Sequence, residues 1–141
     1  MRNNAKITNQ DLLYPELSYE ATGAIFEVWK KLSPAFKESA YQKALAEEFK
    51  SRNIPFESQK AIPIYYNDKK VGSYVPDFLL DGKILIEIKH LPRLTFKENK
   101  QVWYYLKGTE YKLLLLVNFG GNNIEIKRRI YDKARIQKNS K

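Results

Sequence analysis

The run Leu113-Leu114-Leu115-Leu116-Val117 is apolar at every position, and it constrains the fold more than any other stretch of the chain. A surface helix carries one apolar stripe and a half-wet strand alternates, so a short uninterrupted apolar run predicts a strand covered on both faces. The residues before it supply part of that cover. Thr95 and Glu98 form a T-x-x-E capping box for a helix running to Lys107, where Gly108 gives the stop. Before that helix, residues 83–89 (Lys-Ile-Leu-Ile-Glu-Ile-Lys) read as another strand. Strand 83–89, helix 96–107 and strand 112–119 therefore predict a βαβ unit with parallel strands and a right-handed crossover. A last hairpin through Gly120-Gly121-Asn122-Asn123 returns as 124–130, an edge strand with a wet charged face.

Upstream, Ser18 as N-cap and the helical spacing of Ala21, Ile25, Val28, Trp29 and Leu32 predict an amphipathic helix over 19–32. The stretch Ser33-Pro34-Ala35-Phe36 breaks the chain, and a second helix over 36–52 is expected to bury Phe36, Ala40, Tyr41, Ala44, Leu45 and Phe49. Residues 61–67 and 70–80 read as strands around an Asn67-Asp68 turn, and Asp81-Gly82 leads from the second into 83–89, which gives an antiparallel meander. The expected fold class is α/β, with a mixed central sheet (the meander plus one parallel crossover) flanked by helices.

No composition break divides the 141 residues, so 1–141 reads as one domain with a basic C-terminal segment, 127–141. Cysteine is absent, which removes disulfides and thiolate metal sites. The N-terminal thirteen residues lack an apolar core of signal-peptide length and no run could span a bilayer, so a soluble, cytoplasmic protein away from membranes is expected. Lys and Arg number 25 against 16 acids, a formal charge of +9, with seven of the bases in the C-terminal segment. A polyanion is the natural partner, nucleic acid ahead of an anionic membrane, and the segment could track phosphates.

Against this apolar background, Asp77, Glu87 and Lys89 stand out, because charged side chains are rarely buried unless paired or metal-bound. Glu87 and Lys89 share one strand face; Ile84, Ile86 and Ile88 take the other. A two-residue turn would pair positions summing to 163 and set Asp77 on the wrong face. A three-residue connection makes the sum 164, places Asp77 opposite Glu87, and leaves Leu79 and Leu85 as the floor of the patch. That register is the expectation. Two carboxylates about 4 Å apart repel by about 4 kcal/mol at an effective dielectric near 20, so a cation is required. With Glu38 reaching in from the second helix, three acids and Lys89 suit a hard divalent ion with oxygen ligands, Mg²⁺ or Mn²⁺. The tripeptide E-x-K itself recurs five times in the chain and says little; the upstream Pro76-Asp77 and the turn between distinguish Glu87/Lys89.

Pro76-Asp77 followed by Glu87-Ile88-Lys89 resembles the PD-(D/E)xK nuclease superfamily. Over about residues 17 to 130, stretches such as FKESAYQKAL, ILIEIKHLPRLT and LLLLVNFG are similar to its small GxxExxY proteins. Glu38 and Tyr41 match the last two letters of that motif, Ala35 replaces its Gly, and Gln101-x-x-x-Tyr105 resembles the Q-x-x-x-Y helix of RecB-like nucleases. The resemblance implies a restriction-endonuclease-like core and metal-dependent hydrolysis of nucleic acid, DNA ahead of RNA. In that reading Asp77, Glu87 and the Ile88 carbonyl hold the metal and Glu38 completes its shell. Lys89 orients the attacking water, while Gln101 and Tyr105 hold the phosphate or the Lys89 amine. Pairing of two copies, common in related small nucleases, is left open. So is a module that keeps the fold and binds nucleic acid without turnover. His90 reads as a rim residue; Trp103, Tyr104, Tyr65 and Tyr66 read as packing side chains that could also stack on bases.

Overall fold

The structure is a computed structural model that describes residues 13–132. The N-terminal stretch read above for a leader falls almost wholly outside the described residues, as does the basic segment from 133 onward.

Helix α1 (Pro15–Leu32) and helix α2 (Glu38–Ser51) are joined by a 3₁₀ turn at Ser33–Ala35. Strands β1 (Phe56–Ser58), β2 (Ile62–Tyr66), β3 (Lys69–Tyr74), β4 (Phe78–Leu80) and β5 (Ile84–Lys89) follow, then helix α3 (Phe96–Lys107) and strands β6 (Leu113–Asn118) and β7 (Glu125–Ile130). Five strands form one sheet in the order β1-β4-β5-β6-β7, and β2-β3 form a separate two-stranded sheet. Within the large sheet only β5 and β6 run parallel, joined through α3 as the apolar run required.

Both faces of the large sheet are buried, which explains why β6 has no polar alternation. Ile84, Ile86, Ile88, Leu113, Leu115 and Val117 pack under α1 and α2 with Ile25, Tyr41, Leu45 and Phe49. On the other face Leu79, Leu85, Leu114 and Leu116 meet Val102 and Leu106 of α3, together with Ile62 and Tyr74 of the small sheet. α3 begins with the expected capping box: Thr95 Oγ1 accepts from the Lys97 N–H, and Glu98 accepts from the Thr95 N–H at 2.7 Å.

Four local expectations change. α1 starts at Pro15, not after Ser18, because proline is suited to the first helical position; Ser18 instead accepts from Arg128 Nη1 at 2.9 Å. Phe36 precedes α2 and is half exposed, since the chain is still extended there. Residues 70–80 are two strands rather than one: Pro76 has no N–H for a ladder, and the chain passes from the small sheet to the large one between Tyr74 and Phe78. Gly108 ends α3 with φ −83°, so a left-handed stop is not why it is glycine; a Cβ there would lie 3.0 Å from Ile64 Cγ2.

The turn after β4 sets the register on which the site depends. Asp81 and Gly82 take φ 48° and 67°, and Lys83 N–H donates back to the Leu80 carbonyl at 2.8 Å. Glycine tolerates that left-handed backbone without strain. The connection is three residues long, and the pairs Phe78/Ile86, Leu79/Leu85 and Leu80/Ile84 follow the sum of 164.

At the far ends of β5 and β6, buried Asn118 ties the exits together. Its amide bonds the Leu91 N–H at 2.8 Å, the Leu91 carbonyl at 2.9 Å and Glu125 Oε2 at 2.8 Å. Gly120 sits against the same turn, where a Cβ would come within 2.5 Å of both the Leu91 nitrogen and oxygen. Backbone cannot yield as a flexible side chain can, so Gly120→Ala is expected to destabilise the protein by about 3 kcal/mol or more. A urea midpoint unchanged from wild type would contradict this packing.

Candidate active site

β4 and β5 bring Asp77 and Glu87 together. Asp77 precedes β4, yet its N–H still donates to the Ile86 carbonyl at 3.0 Å, which holds it at the ladder. It is only 8% exposed. Its Oδ2 accepts the Ile88 N–H at 2.6 Å, and its Oδ1 accepts from the Gln42 amide of α2 and from Gln59 Nε2 at 3.4 Å. Because N–H and C=O of one strand residue leave on the same edge, the Ile88 carbonyl also leaves toward the Asp77 side.

Glu87, one pair further along β5, accepts from the Tyr74 hydroxyl at 2.8 Å through Oε1, while Lys89 Nζ lies 3.7 Å from Oε2. The Tyr74 ring stacks on Tyr105 of α3, with centroids 4.2 Å apart, and Gln101 Nε2 donates to the Tyr105 hydroxyl at 3.4 Å. Gln101 and Tyr105 therefore reach Glu87 through Tyr74, so they touch the site from behind.

Glu38 sits in the first turn of α2. The 3₁₀ turn before it is clamped: the Tyr41 hydroxyl donates to the Ser33 carbonyl and accepts the Phe36 N–H at 3.1 Å, and His90 Nε2 lies 3.2 Å from the Pro34 carbonyl. His90 also stacks on Tyr41 at 5.6 Å, which places it as a brace at the rim.

The electrostatics are those of acids crowded together. Burial pushes the Glu87 carboxyl up to about 7, and Asp77 pushes in the same direction; the Tyr74 hydroxyl and Lys89 oppose them. Burial also raises Asp77, against the pull of the Ile88 N–H, Gln42, Gln59 and Lys89. Glu38 is raised by burial and then by Asp77. Tyr74 is raised by burial and by Glu87, so it stays a hydroxyl donor. Each of the three acids is raised, in every case first by burial, with a neighbouring acid adding to it for Glu38 and Glu87.

These donors suit a hard divalent cation. Among the described residues no three His, Cys, Asp or Glu side chains converge as a ready-made ligand cluster. The available donors are one buried carboxylate, Asp77, one half-buried, Glu87, a backbone carbonyl edge and a third acid nearby. That fits an ion that takes one or two carboxylates and keeps several waters, and it does not fit a closed protein cage.

Three partners of the acids were missed by sequence reasoning. Gln42 was findable, since it lies four residues after Glu38 and so shares its helix face. Tyr74 was hidden by the break at Val75-Pro76, which cancels period-two counting. Gln59, in a left-handed bend with φ 55°, carried no signal at all.

No curated protein and no solved structure matches the chain significantly. The model of the PD-(D/E)XK nuclease superfamily matches residues 15–130, a span that holds every element from α1 to β7. Pro76-Asp77 and Glu87-Ile88-Lys89 supply the letters of its motif where two acids and a lysine meet on the sheet, and the chain belongs to the PD-(D/E)XK nuclease superfamily.

Proposed function

We propose that the chain, as a single domain, is a divalent-metal-dependent nuclease that hydrolyses phosphodiester bonds of nucleic acid, with DNA the first substrate to try. The observation that carries this reading is the meeting of Asp77 and Glu87 beside Lys89, with both acids raised by their surroundings. Membership of the superfamily and the charge of +9 support it. Asp77, Glu87 and the Ile88 carbonyl would hold Mg²⁺ or Mn²⁺, with Glu38 fixing one of its waters. When bound, the ion polarises the scissile phosphate and lowers the pKa of a coordinated water.

The chain's own groups do the positioning. The Ile88 N–H and the Gln42 and Gln59 amides fix the Asp77 carboxylate, so it need not reorganise when charge develops. Tyr74 holds one oxygen of Glu87 and leaves the other toward Lys89. Lys89 places an ammonium where the attacking water and the phosphate oxygens would sit, which stabilises negative charge building on the phosphate. Gln101 and Tyr105 brace Tyr74 from α3.

The test is incubation of labelled single-stranded DNA, duplex DNA and RNA with the protein in Mg²⁺, Mn²⁺ or EDTA. Cleavage of at least one strand type in metal and none in EDTA is expected. Cleavage surviving EDTA, or none with any strand in either metal, would refute the reading; binding without cleavage would favour the turnover-free module instead.

Tyr74→Phe gives a finer check. Removing a partner of a ligating carboxylate typically weakens metal binding by about 10- to 100-fold. Tyr74 lowers the Glu87 pKa, so its loss keeps Glu87 protonated to higher pH. Calorimetric titration of Mn²⁺ is therefore expected to show the deficit at neutral pH and a smaller one at alkaline pH; equal affinity at neutral pH would remove Tyr74 from this role.

A further inference from the structure

α3 has two working flanks. Gln101 and Tyr105 face Tyr74 and the acids. The flank about one-third of a turn away carries Phe96, Lys100, the adjacent pair Trp103 and Tyr104, and Lys107, so that each lysine lies three or four residues from a ring. Lys100 Nζ stands 5.7 Å from the Phe96 ring centroid, and Lys107 Nζ 5.9 Å from Trp103 and 5.8 Å from Tyr104. β7 extends the surface: the Arg129 guanidinium lies 5.5 Å over Trp103, and the Tyr131 ring meets Trp103 edge-on at 5.6 Å.

Two features separate this flank from ordinary helix packing. Phe96 is 77% exposed and Tyr104 58% exposed, although each would gain from burial against a neighbouring element. Among the described residues, no carboxylate pairs with Lys100, Lys107, Lys127 or Arg129 within ion-pair distance, and Arg129 Nε is buried with no hydrogen-bond partner. The nearby acids are engaged elsewhere: Glu98 in the capping box, Glu125 with Leu94 and Asn118. The surface thus offers flat π faces and free positive charge together. It also starts beside the acids, since the same helix carries Tyr105, whose ring stacks at 4.2 Å on Tyr74, the hydroxyl partner of Glu87.

We infer that the β7-facing flank of α3 is a stacking platform for a single-stranded nucleic-acid segment leading out of the active site, an inference that rests on the nuclease reading above. Bases stack on exposed aromatic rings only when they are unpaired, whereas a duplex offers phosphates and groove edges that lysines alone would satisfy. Phe96 and Tyr104 supply faces for bases. Lys100, Lys107, Lys127 and Arg129 supply countercharge to the phosphates between them.

The experiment is fluorescence anisotropy of the whole chain in EDTA, where no cleavage intervenes, with a short oligothymidylate, an abasic strand of equal length and a duplex. The double variant Phe96→Ala/Tyr104→Ala is expected to bind oligothymidylate about tenfold or more weakly than wild type, and the abasic strand and duplex nearly as well. Lys100→Gln/Lys107→Gln should weaken all three and flatten the salt dependence. Unchanged oligothymidylate binding by the ring variant would overturn the platform. So would wild type that grips the abasic strand as tightly as the base-carrying one, a comparison that needs no variant to fold. Neither result touches the nuclease reading, which stands or falls on metal-dependent cleavage.

Discussion

Lys89→Ala is expected to lower the rate of phosphodiester cleavage by about 100- to 1,000-fold while leaving the protein folded. Among the described residues the ammonium is the one cation found beside the two acids, and loss of a preorganised group that stabilises developing charge typically costs that much. The contact it makes in the folded state is weak by comparison. Its Nζ lies 3.7 Å from Glu87 Oε2, and the two side chains are 25% and 18% exposed, so the pair contributes no more than about 1 kcal/mol. Stability and turnover therefore separate: the thermal midpoint should move by a few degrees at most. Lys89→Arg is expected to recover little, because a planar guanidinium does not replace a compact ammonium aimed at one position. Kinetics showing cleavage within a few-fold of wild type in Lys89→Ala would take Lys89 out of the mechanism.

Glu87→Gln is expected to act in opposite directions on stability and on function. In the metal-free protein the Glu87 pKa is raised from 4.5 to about 7. Below 4.5 the carboxyl is protonated whether the chain is folded or not, and it costs nothing. As pH rises from 4.5 to 7 the unfolded chain ionises while the folded one resists, so stability present at low pH is lost, and above 7 the loss stops growing. The loss is about 3 kcal/mol at pH 8. Glutamine never ionises and can still accept from Tyr74. The variant should therefore be more stable than metal-free wild type at pH 8 and no more stable at pH 4, in urea unfolding monitored at both. Glu38 is among the charges that raise Glu87, so the variant also ends that repulsion. Added Mn²⁺ should then stabilise wild type and leave Glu87→Gln unmoved. A variant less stable than wild type at pH 8 without metal would show that Glu87 is not strained by its surroundings.

The parts of this site that sequence could reach are the ones set by local rules. The Asp81-Gly82 turn and the alternation in β5 were enough to place Asp77 against Glu87, because a shift by one residue would have sent Leu79 and Leu85 to the wrong face of the sheet. The capping box at Thr95 and the unbroken apolar run of β6 fixed the crossover in the same way. β1 escaped notice: three residues after Pro55 are too few to show a period, and their pairing to β4 is a tertiary event. The break at Val75–Asp77 escaped as well, since hydrophobic content runs straight through it and only the change of sheet partner reveals it. The side-chain hydrogen bonds that orient the acids come from Gln42 on α2, Gln59 in the bend after β1 and Tyr74 on β3, and nothing short of the assembled fold brings those segments together.

The most direct test of the central claim, that Asp77 and Glu87 form one divalent-cation site, is calorimetric titration of Mn²⁺ into wild type and Asp77→Asn at neutral pH. The account predicts saturable binding to wild type with proton release, because a carboxyl whose pKa is about 7 must give up its proton to the metal, and at least a tenfold loss of affinity in the variant. Equal affinity in the two proteins, with no protons released by wild type, would contradict it.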